Sequence, residues 1–263
     1  MTLPLLTVVI PTYQRADLTT RAVKSVLSQT IPSDLYEIIV SDNGSSDGSP
    51  EVIESRFSNE VVSGRLRVLR NPPTGDPGTN RNRGAAVARG TYLAFLDSDD
   101  QWTPERLSKV IPSLESLDFL IEPERPLTPG EDPIRAYLRV NHGAMSSMII
   151  RKEYFEKIGR FPEGYWGPNP RWFAGYEDYE LLMRIFIDLS FRAPERLRIV
   201  AASSSSVITE RFADGFNRLQ QRRQMMREAS LMLRLWPKLP LRYWHTLLRR
   251  LLGCAKGIAL PNR

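Results

Sequence analysis

Three short stretches of the chain combine residue types that could do chemistry together. The densest is Asp97-Ser98-Asp99-Asp100, which follows an apolar run at 92–96. Three carboxylates within four residues repel one another, and a divalent cation relieves that repulsion because hard oxygen ligands suit Mg2+ or Mn2+. A carboxylate–metal–diphosphate sandwich would also neutralise a departing nucleotide. Taken alone, the cluster reads more readily as a solvated acidic turn capping a helix near Trp102. The second stretch, Ser41-Asp42-Asn43-Gly44-Ser45-Ser46-Asp47-Gly48, follows another apolar run. Asp42 there could accept a hydrogen bond from a base-ring N–H, and Asn43-Gly44 supplies a tight turn. The third is Pro11-Thr12-Tyr13-Gln14-Arg15, in which Tyr13 could pack on a nucleobase and Arg15 could reach a phosphate.

Stretches of this kind need strands behind them. Compact apolar runs at 5–10, 37–40, 66–69 and 92–96 read as buried strands, the first halted by Pro11. Between them, helical spacing appears at 17–27 with Asp17 as N-cap, at about 50–57 and at about 80–89. Residues 71–78 form a Pro- and Gly-rich loop. This rhythm implies a doubly wound α/β fold on a parallel sheet, where ligands collect at the carboxyl ends of strands. A helix is expected over 102–117, with Thr103-Pro104-Glu105 as its start signal. Further on, 146–150 reads as a strand, 152–158 and 176–189 as helices, and 198–208 as extended chain. Residues 161–175 form a loop rich in Gly, Pro and aromatic residues.

Bulk properties narrow the classes. With 263 residues, 41% hydrophobic and 25% charged, the chain suits one large α/β domain plus an appendage. A net charge of +6 calls for an anionic partner. The single cysteine, Cys254, excludes an internal disulfide framework and a cysteine-based zinc site, and fits a reducing, cytoplasmic setting. Residues 1–10 read as a strand rather than a signal peptide, and no apolar run reaches the roughly 18 residues of a membrane span. No G-x-G-x-x-G follows the first strand, which argues against a dinucleotide oxidoreductase. A Gly- and Lys/Arg-rich loop, usual in nucleotidylyltransferases, is also missing there. The basic residues are not arranged in an RNA-binding motif, so nucleic acid is not an expected partner.

The ordered set Val8 to Arg15, the 41–49 loop, Asn80-Arg81-Asn82-Arg83-Gly84, and Phe95-Leu96-Asp97-Ser98-Asp99-Asp100 closely resembles family 2 glycosyltransferases over about 5–210. The resemblance implies a GT-A fold and a nucleotide-diphosphate sugar donor, UDP-linked by default. It further implies a divalent cation, and transfer to an acceptor hydroxyl with inversion. By position, Asp42 matches the aspartate that recognises the base, with Asn43 beside it. Asp97 and Asp99, flanking Ser98, match the acidic DxD positions, Asp97 towards the ribose and Asp99 as the direct metal ligand. Pro11, Thr12, Tyr13 and Arg15 would border the donor, and Arg81 would lie near it. Asn80 stands where the family usually has alanine. Glu177-Asp178 resembles the family's Glu-Asp motif at a helix start, where the aspartate serves as catalytic base. The helix macrodipole alone also favours acids there. Trp166 and Trp172 could stack on acceptor sugars or simply anchor their loop, and His142 could contact donor or be a surface residue. Where relatives carry a further histidine ligand, residues 202–210 have none.

On this reading residues 1–117 form a nucleotide-binding half and 118–211 an acceptor-binding half. Residues 212–263 form a basic amphipathic helical extension broken at Pro237 and Pro240. A helix of that composition, with Trp and Tyr among its leucines, can lie on an anionic membrane or pack on the domain. A glycan or lipid-linked acceptor, met at the inner face of a membrane, fits either arrangement. The competing readings are another sugar-nucleotide enzyme, such as a nucleotidylyltransferase, and a nucleotide-binding module without catalysis.

Overall fold

The computed structural model describes residues 3–74, 76–123, 130–139, 145–163, 176–200, 207–209, 233 and 236–259. Its centre is a sheet of seven strands: β1 Leu6–Thr12, β2 Tyr36–Asp42, β3 Leu66–Arg70, β4 Tyr92–Phe95, β6 Phe119–Ile121, β7 Ile149–Arg151 and β8 Leu197–Ile199. β5 (Asp100–Trp102) lies outside it and pairs antiparallel with β9 (Val207–Thr209). The order in the large sheet is β3-β2-β1-β4-β7-β6-β8. All neighbours are parallel except β7, which runs against both β4 and β6. The sheet is therefore mostly parallel, as the strand–helix rhythm implies.

Both faces of the sheet are covered, which is why β1, β2 and β4 are continuous apolar runs rather than alternating ones. Val8 and Ile10 of β1 join Ile38 and Val40 of β2 in one core. Val9, Ile39, Leu93 and Phe95 face the other. The first core is closed by α1 (Ala16–Leu27), α2 (Ser49–Arg56) and α5 (Arg106–Leu114), with α3 (Ser58–Val62) beside β3. The second is closed by α4 (Pro77–Ala86), α6 (Pro133–Arg139), α7 (Lys152–Ile158), α8 (Tyr176–Arg192) and α9 (Leu241–Ala259).

Several sequence expectations shift. β1 does not stop at Pro11 but continues to Thr12, paired with Asp42. Val9 accepts from Leu96 on the β4 side, so alternation turns Pro11 to that side beyond the end of β4. A missing N–H there forfeits no ladder bond. Asp17 is not a cap: α1 begins after Arg15, and Asp17 sits in the first turn. α4 starts earlier than expected, because Asp76 accepts from the Gly78 N–H and Pro77 takes the first helical position. Trp102 is in a strand rather than a helix, and α5 begins only at Arg106. α4 is seated hard on β1 at Gly84, where a Cβ would come within 2.5 Å of Val9 Cγ1.

Candidate active site

β1, β2 and β4 run parallel, so their carboxyl ends bring residues 11–15, 41–48 and 97–100 to one edge of the sheet. The acidic loop is tied down by its own backbone and by a serine from the distant 145–147 turn. Asp97 N–H donates to Ser146 Oγ at 3.0 Å, and that hydroxyl meets Asp100 Oδ2 at 2.5 Å. The Asp100 N–H closes on Asp97 O at 3.0 Å. Trp102 Nε1 donates to Ser146 O, and the buried Arg106 guanidinium donates to Ser147 O and pairs with Glu122 at 2.8 Å. Ser98 is buried.

Two arginines relieve the carboxylate repulsion that the sequence leaves unresolved. Arg15 Nη1 pairs with Asp99 Oδ2 at 2.8 Å, and both side chains touch solvent. Arg81, buried on α4, is a bridge. Its Nη2 meets Asp97 Oδ1 at 2.6 Å and its Nη1 meets Glu177 Oε1 at 3.1 Å, while its guanidinium lies over the Phe161 ring. The acidic loop and the first turn of α8 are thus joined through one cation. Gly78 makes room for this, since a Cβ there would come within 3.0 Å of Glu177 Cγ.

The electrostatics at α8 follow from burial. Glu177 is 2% exposed, and burial pushes its carboxyl up while Arg81 opposes the rise. Asp178 is pushed well above the usual carboxylate range, first by burial and then by the charge of Glu177; Arg81 and the Tyr179 N–H only partly offset this. Arg81 is already committed to Glu177 and Asp97, so Asp178 is the acid left with the weakest compensation. A carboxyl so placed has raised proton affinity, the property a general base near neutral pH requires.

On the nucleotide side, Asp42 ends β2 with its carboxylate engaged by its own loop. Oδ2 accepts from Gly44 N and Ser45 N, and Oδ1 from Ser45 Oγ. Gly44 sits at φ +78, where a Cβ would strike Pro73 Cδ at 2.8 Å, so the tight turn expected at Asn43-Gly44 is present and needs glycine. Asn43 Oδ1 accepts from Thr74. Thr12 bonds Thr19 at 2.7 Å, Tyr13 is exposed, and Gln14, at φ 51, ties the 11–15 loop to Ser45 and Ser46. Asn80 explains its own departure from alanine: its amide bonds Ser41 at the end of β2. Asn82 fastens α4 to Phe161 and Glu163.

Pro11, Thr12, Tyr13, Arg15, Asp42, Asn43, Arg81, Asp97, Ser98 and Asp99 therefore share one edge, and Glu177 and Asp178 reach it through Arg81. Trp166, Trp172 and His142 lie outside the described residues. Sequence reasoning missed the tie from Ser146 to the acidic loop, and Asp76, whose Asp-Pro step is a recognisable helix start. Among the described residues no group of three or more His, Cys, Asp and Glu side chains is placed to hold a metal ion.

The Glycosyl transferase family 2 model matches residues 7–159, more than half of the chain. The chain belongs to glycosyl transferase family 2. An uncharacterized glycosyltransferase of Haemophilus influenzae is 28% identical over 71% of this chain and 64% of its own length. A further relative is the UDP-Glc:alpha-D-GlcNAc-diphosphoundecaprenol beta-1,3-glucosyltransferase WfaP of Escherichia coli, 28% identical over 69% of this chain and 70% of its own. The chain spans less than two thirds of several curated relatives it matches, from 16% to 64% of their lengths. Among solved folds, the mannosyltransferase PcManGT from Pyrobaculum calidifontis in complex with GDP-Man and Mn2+ superposes with a TM-score of 0.68 at 17% identity. That match covers 98% of this chain and 75% of the other. S. aureus TarS 1-349 gives 0.65 at 19% identity, over 97% and 72%. The family 2 chain thus has the GT-A fold expected of it.

Proposed function

We propose that this chain transfers a sugar from a nucleotide-diphosphate donor to an acceptor hydroxyl by single displacement, with Asp178 as the base. The observation that supports this reading is the Arg81 bridge, a buried cation that links Asp97 of the acidic loop to Glu177, next to Asp178, at the first turn of α8. The donor base lies against the 11–15 and 41–48 loops, with Tyr13 and Asp42 nearest, Asn43 shaping the turn and Pro11 and Thr12 forming its floor. Asp97, held by Arg81, faces the ribose. Asp178 takes the proton of the acceptor hydroxyl as that oxygen attacks the anomeric carbon, and the nucleoside diphosphate leaves from the opposite face.

The donor set fits a divalent cation that arrives with the diphosphate. Asp99 is partly exposed and, among the described residues, held by Arg15, whereas one oxygen of Asp97 is fixed to Arg81. Asp99 with phosphate and water oxygens is the arrangement Mg2+ and Mn2+ favour. When bound, the cation would neutralise charge building on the leaving diphosphate. Arg15 then exchanges Asp99 for a donor phosphate. UDP, UDP-GlcNAc and GDP-Man complexes of fold neighbours support a nucleotide-sugar donor. The WfaP relative supports a lipid-linked saccharide as acceptor.

The test is a thermal-shift screen of UDP, GDP, dTDP and CDP with and without Mn2+, then transfer assays with Asp178→Asn and Asp99→Asn. One nucleotide should stabilise the protein, and only with metal. Asp178→Asn should retain that shift and lose roughly 10²–10⁴-fold in turnover. Asp99→Asn should lose the metal-dependent part of the shift. Near-wild-type turnover in Asp178→Asn would remove the base assignment. A chain stabilised by no nucleotide would be a non-catalytic module.

A further inference from the structure

α9 carries two apolar faces where a helix that merely packs on a domain needs one. The inner face is settled: Leu239 just before the helix, then Tyr243 and Leu247, are buried in the second core, with Leu251 partly buried behind them. Tyr243 Oη donates to Asp132 Oδ2 at 2.5 Å and its ring meets Phe191. The outer face holds Leu241, Trp244, Leu248 and Leu252, exposed by 73%, 36%, 44% and 54%. At 3.6 residues per turn these four fall within an arc of roughly 80°, turned about 100° from the buried stripe. Arg242 and Arg249 come next around the helix, both exposed.

Charge identifies the occupant. α9 has no acidic residue at all. Residues 212–263 hold eleven Lys and Arg against two acids, while the whole chain holds 36 against 30. The rest of the chain is therefore net acidic, and its positive excess is confined to the segment that bears the exposed apolar stripe. We infer that α9 docks the protein on an anionic lipid bilayer, its outer stripe entering the headgroup–acyl boundary and its arginines meeting lipid phosphates. Trp244 suits that depth, because its N–H is satisfied by Leu239 O and its large ring is left partly exposed. No helix among the described residues is long and apolar enough to cross a membrane, so α9 lies along the surface. The same domain edge that α9 packs against then faces the bilayer.

Removing the segment is a poor test, because Leu239, Tyr243 and Leu247 belong to the core. The test instead uses the full chain, co-sedimented with phosphatidylcholine vesicles with and without about 30% phosphatidylglycerol. Wild type should pellet with the anionic vesicles, stay in solution with the neutral ones, and be released by salt. Leu241→Gln/Leu248→Gln/Leu252→Gln, which leaves the Trp244 bond to Leu239 in place, should cut anionic-vesicle binding at least about tenfold with an unchanged melting temperature. Arg249→Gln, which leaves the apolar stripe and the Arg242 guanidinium over the Phe191 and Tyr243 rings intact, should weaken binding and flatten its salt dependence. Wild type left in solution, or apolar and arginine variants that bind as wild type does, would overturn the inference. So would a wild-type dimer that the apolar variant makes monomeric, because the occupant would then be a second copy. Vesicle binding needs no donor or acceptor, so its failure is distinguishable from failure of the transfer reading.

Discussion

Replacing Arg81 with methionine isolates the energetics of the cluster. Methionine keeps much of the volume and the contact with Phe161 while removing the cation from between Asp97 and Glu177. The two partners respond differently. Asp97 is about one third exposed, so water can rehydrate it and its share is small. Glu177 is 2% exposed and cannot, so breaking its pair leaves a buried uncompensated charge, at about 3–5 kcal/mol. Protonation of Glu177 limits the damage, since each unit by which its affinity for a proton rises is worth about 1.4 kcal/mol. We therefore expect Arg81→Met to lose about 3 kcal/mol near pH 7.5, which for a chain of this size is a fall of roughly 6–12 °C in melting temperature. The sign with pH is fixed. Burial already raises the folded-state proton affinity of Glu177, and losing Arg81 raises it further, so the deficit is present at high pH and shrinks as pH falls. Adding Glu177→Gln should recover more than half of the loss at pH 7.5, because a neutral amide no longer needs the cation. The assay is a set of melting curves of wild type, both single variants and the double, at pH 7.5 and 5.5. A single variant within about 2 °C of wild type, or a double variant no better than the single, would refute this reasoning.

Three further outcomes follow from the same geometry. Asp178, raised by burial and by Glu177, should give transfer an acid limb above the usual carboxylate range, visible in a kcat/KM–pH profile. The same shift means the folded state holds a proton that the unfolded chain has released, so stability falls as pH climbs through the raised value. Asp178→Asn, neutral at every pH, should therefore melt higher than wild type at pH 8 although it is inactive; a lower melting point would contradict the burial of that charge. Gly84→Ala, whose Cβ would press on Val9 Cγ1, should destabilise the chain by about 1–3 kcal/mol in urea unfolding. Ser146→Ala should lower donor affinity more than stability, because the hydroxyl orients Asp97 and Asp100 at the surface of the site, and an unchanged donor Kd would argue against that role.

What was legible in the sequence was whatever chemistry is local. Continuous apolar runs reported β1, β2 and β4 because both faces of a parallel sheet are dry. The turn at Gly44 was readable because only glycine tolerates its backbone. Trp102 misled because the helical spacing of Leu107, Val110 and Leu114 was extended back to it through Thr103-Pro104-Glu105, while the strand that claims residues 100–102 lies more than a hundred residues downstream. The proline- and glycine-rich loop at 71–78 hid the Asp76-Pro77 helix start for a related reason, as breaker residues outweighed a cap. The acidic cluster was visible, but its compensation was not. Nothing near Arg81 in sequence announces Glu177, 96 residues away, and burial of that pair exists only in the assembled fold.

The pairing of β5 with β9 bears on when this molecule becomes competent rather than on how it works. The strands that carry the nucleotide side are joined by short, sequence-local crossovers and can consolidate once residues up to 96 have been made. The acidic loop cannot. Its downstream strand waits for Val207–Thr209, and its arginine partner waits for Glu177. During synthesis at about 5–20 residues per second, several seconds separate emergence of the loop from the arrival of those partners. A nascent chain therefore exposes its acids before it can orient them, and the last part of the active edge to mature is the one that must be positioned most closely.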